Sequence, residues 1–533
     1  MQNSKTALAV PSMNTRLDRR HFLAALGASV AVSALLSNHP AAAEEPVGTP
    51  FSFEKLTEDM RVAAQQPEPA PETIEGFLTD LHYDDYNRIR FKPGRSRWQD
   101  DSAFRVQAFH LGWLFKQPVH VNEVVNGESR PMAFSTTDFE YSGGLADKVP
   151  ANAEMPGVAG FRLGNQLNRA DIFDELIVFL GASYFRALGQ GNGYGLSARG
   201  LAVNTGQSRA EEFPRFSAFW LERPAPGAAS ATVYAALESK SVTGAYRFII
   251  TPGKETIVEV TTRLFLRDDV EQLGIAPLTS MYLFAGNDMG EFHDYRSAVH
   301  DSEALVMNTR GGETFYRPLN NPPRLASSYF GAENPKSFGL VQRNRDFDHY
   351  LDAQAHYEKR PSLVVEPIGD WGKGTVRLVE IPSDLETNDN IVAFWIPEKS
   401  ATAGDAIELS YRLRWGMTPE GDGSTDRARI LRTRLGAGGV SGVEGTNGRQ
   451  KFVIDFRGGL LSELPDDADV EAMVTATRGE IAETVLSKIS GTDMWRLVIE
   501  VKGETGSVIE LKANVEGYDR VLTETWLYQW MVE

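Results

Sequence analysis

The chain has no cysteine in 533 residues. That excludes disulfide staples, a thiolate nucleophile and Cys-ligated zinc. Histidine is scarce, with 9 in all. His293-Asp294 and His300-Asp301 are the metal-like pairs, but residues that far apart face opposite sides of a strand and match no known ligand spacing. No metal and no cofactor are expected. Basic residues are in deficit, 54 Lys+Arg against 72 Asp+Glu, for a net charge of −18. Such a surface repels phosphate backbones and anionic lipid, which argues against nucleic acid and membrane surfaces as partners. Neutral sugars meet no such penalty. Several catalytic signatures also fail. Gly195-Leu196-Ser197-Ala198-Arg199 has Arg where a nucleophile elbow needs Gly. Gly189–Gly195 lacks dinucleotide spacing, and Gly372-Lys373 lacks the rest of a phosphate loop. Long helical periodicity and strand–helix alternation are missing as well, which argues for antiparallel sheets packed as sandwiches.

What is present begins at the start of the chain. Asp18-Arg19-Arg20-His21-Phe22-Leu23 opens an apolar run to Leu36, and Pro40-Ala41-Ala42-Ala43 closes it before Glu44-Glu45. About 15 apolar residues are too few for a membrane helix, which needs about 20. A charged start, a short apolar core and an Ala-x-Ala end read as an export signal over 1–43. The paired arginines followed by Phe-Leu point to the twin-arginine route. A chance basic start or a permanent anchor is the alternative. Export by that route places the function in the bacterial periplasm, where no ATP supports kinase or ligase chemistry.

An apolar share of 42% supports several buried cores in the rest of the chain. Ser52 is placed to cap a short helix with Phe53, Leu56, Met60 and Ala63 on one face. A second short helix is expected near Ala170–Leu180. Strands dominate elsewhere. Thr256–Leu266 puts Val258, Val260, Leu264 and Leu266 on one face, and Ala231–Leu237 and Tyr246–Ile250 read similarly. Breakers and polar residues from Gly416 to Asp426 mark a linker. The expected division is a large N-terminal β-sandwich at 44–416, a linker at 417–428 and a smaller immunoglobulin-like sandwich at 429–533. The last rests on strands expected at Lys451–Phe456, Val470–Thr475, Trp495–Val501, Val508–Asn514 and Thr523–Trp530.

Two acidic places suit chemistry: Asp301 in Val299-His300-Asp301-Ser302, and the loop Ser383–Asp389 before the apolar strand Ile391–Ile396. Asp389 would sit at a sheet edge, where partial burial would raise its pKa and keep it protonated, as a general acid requires. The plainer reading is a turn in which Asp389 and Asn390 bond local backbone. Nothing in the spacing brings the two acids together. Trp371, Tyr184 and Trp395 offer flat faces for sugar rings, with core packing the competing explanation for each.

Longer stretches carry a resemblance. They include Phe179-Leu180-Gly181-Ala182-Ser183-Tyr184-Phe185-Arg186-Ala187, Tyr194–Ala202, Glu211-Glu212-Phe213-Pro214, Leu273–Met281, Arg317-Pro318-Leu319-Asn320-Asn321-Pro322, Trp371-Gly372-Lys373-Gly374 and Thr525-Trp526-Leu527-Tyr528-Gln529. Spanning Phe51 to Trp530, they resemble the periplasmic glucans biosynthesis family of G and D proteins, OpgG/OpgD (MdoG/MdoD), with the twin-arginine signal leaning toward the D-type. The resemblance implies two β-sandwich domains, the larger carrying a long cleft. It implies osmoregulated periplasmic glucan biosynthesis by an anomer-inverting glycoside hydrolase acting on β-1,2-glucan. An inverting transglycosylase that cyclises the glucan is the alternative within that class. A non-catalytic glucan-binding partner of the inner-membrane glucan synthase is the alternative outside it. Asp389 is then the general acid and Asp301 the base. Glu386 and Tyr357 fall beside the cleft as substrate or proton-relay partners, and Tyr184, Arg186 and Trp371 as further substrate contacts. Asn388, Asn344 and the glycine-rich loop Gly436–Gly448 stand where the family varies. The oligomeric state is open, a homodimer included.

Overall fold

The structure, a computed structural model, describes residues 48–100, 102–419, 426–439 and 448–532. The export signal read at 1–43, the middle of the linker and most of the Gly436–Gly448 loop lie outside the described residues.

Ser52 caps the first helix, Phe53–Ala63, with its hydroxyl oxygen accepting from the Lys55 amide at 3.1 Å. Phe53, Leu56 and Met60 bury their face against Ala236, Ala245 and Phe265 of the sheet beneath. Most of the remaining regular structure is strand. The described residues form a 16-stranded sheet, a 10-stranded sheet and a 4-stranded sheet, with two small ribbons. Thr256–Leu266 shows the reason: Val258, Val260, Leu264 and Leu266 are buried while Glu259, Thr261 and Arg263 lie partly open. That period of two is what a sheet with one packed face demands. Aromatic rings join the two large sheets. Phe161, Phe179 and Phe185 of the 10-stranded sheet meet Phe219, Phe248 and Trp415 of the 16-stranded sheet at 5.0, 5.2 and 5.9 Å. The protein is thus mostly β, built from at least two sheet-based domains.

The helix expected near Ala170–Leu180 is not there. Asp174–Leu180 is a strand paired with Gly160–Asn165 and with Tyr184–Ala187. Leu176, Ile177, Val178 and Phe179 are all buried, so both faces of the strand are covered. A strand covered on both faces shows a continuous apolar run, which periodicity alone does not separate from a short helix.

Beyond the expected linker position, the strands read from the sequence are present as Arg449–Arg457, Glu471–Thr477, Met494–Lys502, Val508–Gly517 and Thr525–Met531. Arg429–Ala437 and Glu480–Lys488 add the two edges of the 4-stranded sheet. Both edges carry too many polar residues to give an alternating apolar signal. Phe452 of this sheet packs on Trp526 and Tyr528 at 5.8 and 5.3 Å, within a core of its own. That core also takes in Ala304, Val306, Tyr316, Val341 and Val364 from before the linker. Thr525–Met531 further pairs in parallel with Thr314–Pro318, so the 16-stranded sheet runs across the linker position.

One ion pair ties these layers together. Arg317 Nη2 meets Glu380 Oε2 at 2.8 Å, with side chains 2% and 1% exposed. Arg317 stands in the 16-stranded sheet and Glu380 in the 10-stranded one. The other Glu380 oxygen accepts from the Asn320 amide at 2.7 Å, and the guanidinium lies 5.6 Å from the Tyr528 ring. Removing one partner strands a buried charge. Glu380→Ala should therefore cost about 3–5 kcal/mol in denaturant unfolding; a loss within 0.5 kcal/mol, roughly the scale of an ordinary surface change, would refute this.

Three imidazoles give the fold an acid sensitivity of their own. Burial pushes His110 down to about 4, His300 to about 3 and His349 to about 4, from an ordinary value of 6.5. Unfolded imidazoles take protons near pH 6.5, whereas the folded ones refuse them until much lower pH. Stability should fall as pH drops from 6.5 to 5, by on the order of 2 kcal/mol for each of His110 and His300. Burial raises the pKa of Glu380 and works the other way, one group against three. Unfolding midpoints measured at pH 7, 6 and 5 check the trend, and a flat or rising profile would contradict it.

Candidate active site

The site is built around two residues, Met281 and Tyr282. The strand Leu273–Ser280 pairs with Ile391–Pro397, Ser280 opposite Ile391. The chain then enters Tyr282–Phe284, which pairs with Val299–His300, Tyr282 opposite His300. Asp389 stands two residues before Ile391, and Asp301 directly follows His300. The anchors Ser280 and Tyr282 are about 7 Å apart along an extended chain. The two acids, far apart in sequence, thus arrive at the same end of the 10-stranded sheet.

Side chains secure this arrangement. Asn390 Oδ1 accepts from the Tyr282 amide at 2.8 Å, and Asn390 Nδ2 donates to the Tyr282 and Ile381 carbonyls at 2.9 and 3.0 Å. The Asp301 amide donates to the Met281 carbonyl at 2.8 Å, and the Ser280 and Ser302 hydroxyls bond at 2.8 Å. The local turn considered for Asp389-Asn390 is therefore only half the story, since Asn390 reaches a strand 108 residues away. The partial burial expected of Asp389 is not found. Asp389 is exposed, while Asn390 beside it is buried.

Asp301 lies deeper, at 5% exposed, in contact with the Arg360 guanidinium. That guanidinium stacks on the Tyr357 ring at 4.1 Å. The Tyr357 hydroxyl makes a long 3.5 Å contact to Glu386 Oε2, and burial raises its pKa. Arg296 donates to the same Glu386 oxygen at 2.7 Å, to Asp352 at 2.8 Å and to Asp294 at 2.7 Å. Burial alone would lower the Arg296 pKa, but these three carboxylates raise it. The Arg296 bond is also the main reason that the Asp294 pKa is lowered. Behind Asp301, His300 stacks on Tyr282 and bonds Gln342 at 2.8 Å, while Gln342 donates in turn to the Tyr357 carbonyl.

Asp301, Tyr357 and Glu386 are therefore brought into one cluster, with Asp389 on the same loop as Glu386. Tyr184 is the neighbour on the other side. It is half-buried under the Arg199 guanidinium at 4.7 Å. Burial raises its pKa, and the charge of Asp389 adds to the rise. Arg186, two residues along the same strand, stacks on Tyr194 at 4.7 Å. Trp371 does not join them. It is 5% exposed, packs against Trp395 and Tyr411, and donates its indole N–H to the Ser410 carbonyl. A ring covered in this way has no face for a sugar, and Trp395 is fully buried beside it. Arg296, Asp352 and Gln342 had no signal in the sequence, since Arg296 meets Asp352 and Glu386 across 56 and 90 residues and Gln342 meets His300 across 42. Arg360 opens Arg360-Pro361-Ser362-Leu363, one of the stretches that resemble the family, but its place beside Asp301 had no signal in the sequence.

The comparisons with known proteins agree along the chain. A family model described as periplasmic glucan biosynthesis protein, MdoG, matches residues 51–530. Glucans biosynthesis protein G of Cereibacter sphaeroides is 58% identical over 98% of this chain and 99% of its own. Glucans biosynthesis protein G of Rhodopseudomonas palustris is 43% identical over 96% of this chain and 100% of its own. Probable glucans biosynthesis protein D of Shewanella oneidensis is 42% identical over 98% and 96%. Relatives named G and D both match nearly end to end, so similarity by itself does not choose between the types. The chain belongs to the MdoG family of periplasmic glucan biosynthesis proteins, OpgG/OpgD.

Proposed function

We propose that this protein acts in osmoregulated periplasmic glucan biosynthesis as an anomer-inverting glycoside hydrolase on β-1,2-glucan. The observation that carries the reading is that the adjacent residues Met281 and Tyr282 bond Asp301 and Asn390, the residue beside Asp389. Asp389 gives its proton to the leaving oxygen as the bond from that oxygen to C1 breaks. Water bonds to C1 from the opposite ring face, and its proton goes to Asp301. The exposed Asp389 is desolvated when the glucan covers its loop, which favours the protonated form an acid needs. The Arg360 contact suits a base that works ionised. Inverting pairs stand roughly 6.5–9.5 Å apart to admit the water. Tyr357 and Glu386 line the way from that water to the deeper Asp301, and Tyr184 and Arg186 hold sugar on the other side.

The family architecture belongs to this reading: a long cleft in the N-terminal sandwich and an immunoglobulin-like C-terminal sandwich, in a protein exported by the twin-arginine route. Contact with the inner-membrane glucan synthase and homodimer formation fit the same reading. Attack by a hydroxyl of the same glucan instead of water would close an α-linked ring, which makes the protein a transglycosylase by the same two acids.

Asp389→Asn keeps the shape of the side chain and loses its proton. It should bind linear β-1,2-glucan but turn it over about 10²–10⁴-fold more slowly. Asp301→Asn should be impaired to a similar degree. A folded Asp389→Asn protein with near-normal turnover would leave glucan holding as the better reading. Stereochemistry gives a separate check. Proton NMR of fresh product, before mutarotation, should show an α-anomeric reducing end or an α-linked closure. A β-anomer would establish retention and defeat the scheme.

A further inference from the structure

One exposed aromatic stands beside this site. Phe213 is 55% exposed, yet the chain that carries it is pinned on both sides. The Glu212 amide donates to the Val203 carbonyl at 3.1 Å, and the Glu212 carboxylate accepts from the Ser241 amide and hydroxyl at 2.9 and 2.8 Å. Pro214, buried, restricts the backbone on the other side. The ring therefore stays in water although burying it would stabilise the fold.

Its surroundings indicate what covers it. Arg199 is 6% exposed and lies 5.8 Å from the Phe213 ring and 4.7 Å from the Tyr184 ring. Arg199 Nε donates to Thr279 Oγ1 at 2.9 Å, and Nη1 donates to Glu211 Oε1 at 2.7 Å. Thr279 pairs with Val392, three residues after Asp389, and the charge of Asp389 reaches the Tyr184 hydroxyl. Phe213, Arg199 and Tyr184 thus form one stacked unit that leads to Asp389. The C–H face of a β-linked glucose ring is apolar and its rim is hydroxyl. A phenyl face beside Arg199, which in turn bonds Glu211 and stacks on Tyr184, offers the matching pattern.

We propose that Phe213 is the stacking platform of a glucosyl subsite on the Tyr184 side of Asp389. This inference rests on the β-glucan reading above. The test is calorimetric titration of linear β-1,2-glucan into the full-length Asp389→Asn protein, which holds glucan without consuming it. Adding Phe213→Ala should weaken binding about tenfold, which is about 1.4 kcal/mol. Phe213→Trp should restore it, because a larger flat face still stacks, whereas a merely structural phenyl would not be replaced this way. Tyr329→Ala removes another exposed aromatic, 57% open, and should leave binding within about twofold. Unchanged affinity in Phe213→Ala, or a loss that Phe213→Trp does not repair, overturns the platform and leaves the two-acid reading standing. An Asp389→Asn protein that binds no glucan at all overturns both.

Discussion

The candidate site depends on the side-chain amide of Asn390. Its three hydrogen bonds all go to backbone, two of them to Tyr282 on a segment 108 residues away. An amide that both donates and accepts can replace a strand partner, so it extends the sheet by one rung past Ile391. At 2% exposed, it would leave buried donors and acceptors unmatched if it moved. Asp389, exposed, stands on the loop whose base these bonds hold. The loop is held again at Ser383, whose amide and carbonyl bond the Asn321 side chain at 2.9 and 2.6 Å.

Charge is distributed unequally across this end of the sheet. Asp301 has its own guanidinium in Arg360, while Arg296 serves Asp294, Asp352 and Glu386 together. Acids therefore outnumber cations around the site, as they do in the whole chain. A neutral, hydroxyl-rich ligand suits such a surface, since hydroxyls donate to carboxylates without bringing opposing charge. Beneath the charged layer the support is neutral. Burial holds the His300 imidazole uncharged, and its bond to Gln342 carries on to the backbone of Tyr357. The Tyr357–Arg360 turn is further fixed by Arg345, which donates to the Glu358 and Arg360 carbonyls.

Much of the fold was legible from one residue to the next. The Ser52 cap, the apolar face of Phe53–Ala63 and the alternation in Thr256–Leu266 are local properties, and each appears where its pattern indicates. Asp174–Leu180 was misleading because a strand buried on both faces loses its alternation. Trp371 was misleading for a related reason: its neighbours Trp395 and Tyr411 come from other strands and cover a ring that looks available in sequence. The stretch Gly416 to Asp426 has the composition expected of a linker, yet the hydrogen-bonded sheet continues past it through Thr314–Pro318 and Thr525–Met531.

By itself the sequence determined the strand-rich character, the absence of thiol chemistry, the acidic surface and the family, because each follows from composition, period or uninterrupted resemblance. It also singled out Asp301 and Asp389 as candidates. Only the tertiary structure decided that Asp301 and Asn390, the neighbour of Asp389, bond adjacent residues, that Asp301 is deep beside Arg360 while Asp389 is exposed, and that Arg296 gathers three carboxylates. The contacts of Arg360 with Asp301, of Arg296 with Asp352 and Glu386, and of Asn390 with Tyr282 join residues 56 to 108 apart in the chain. Local periodicity sets which face a side chain takes. The partner it meets there is set by strand order and register, which no local pattern encodes.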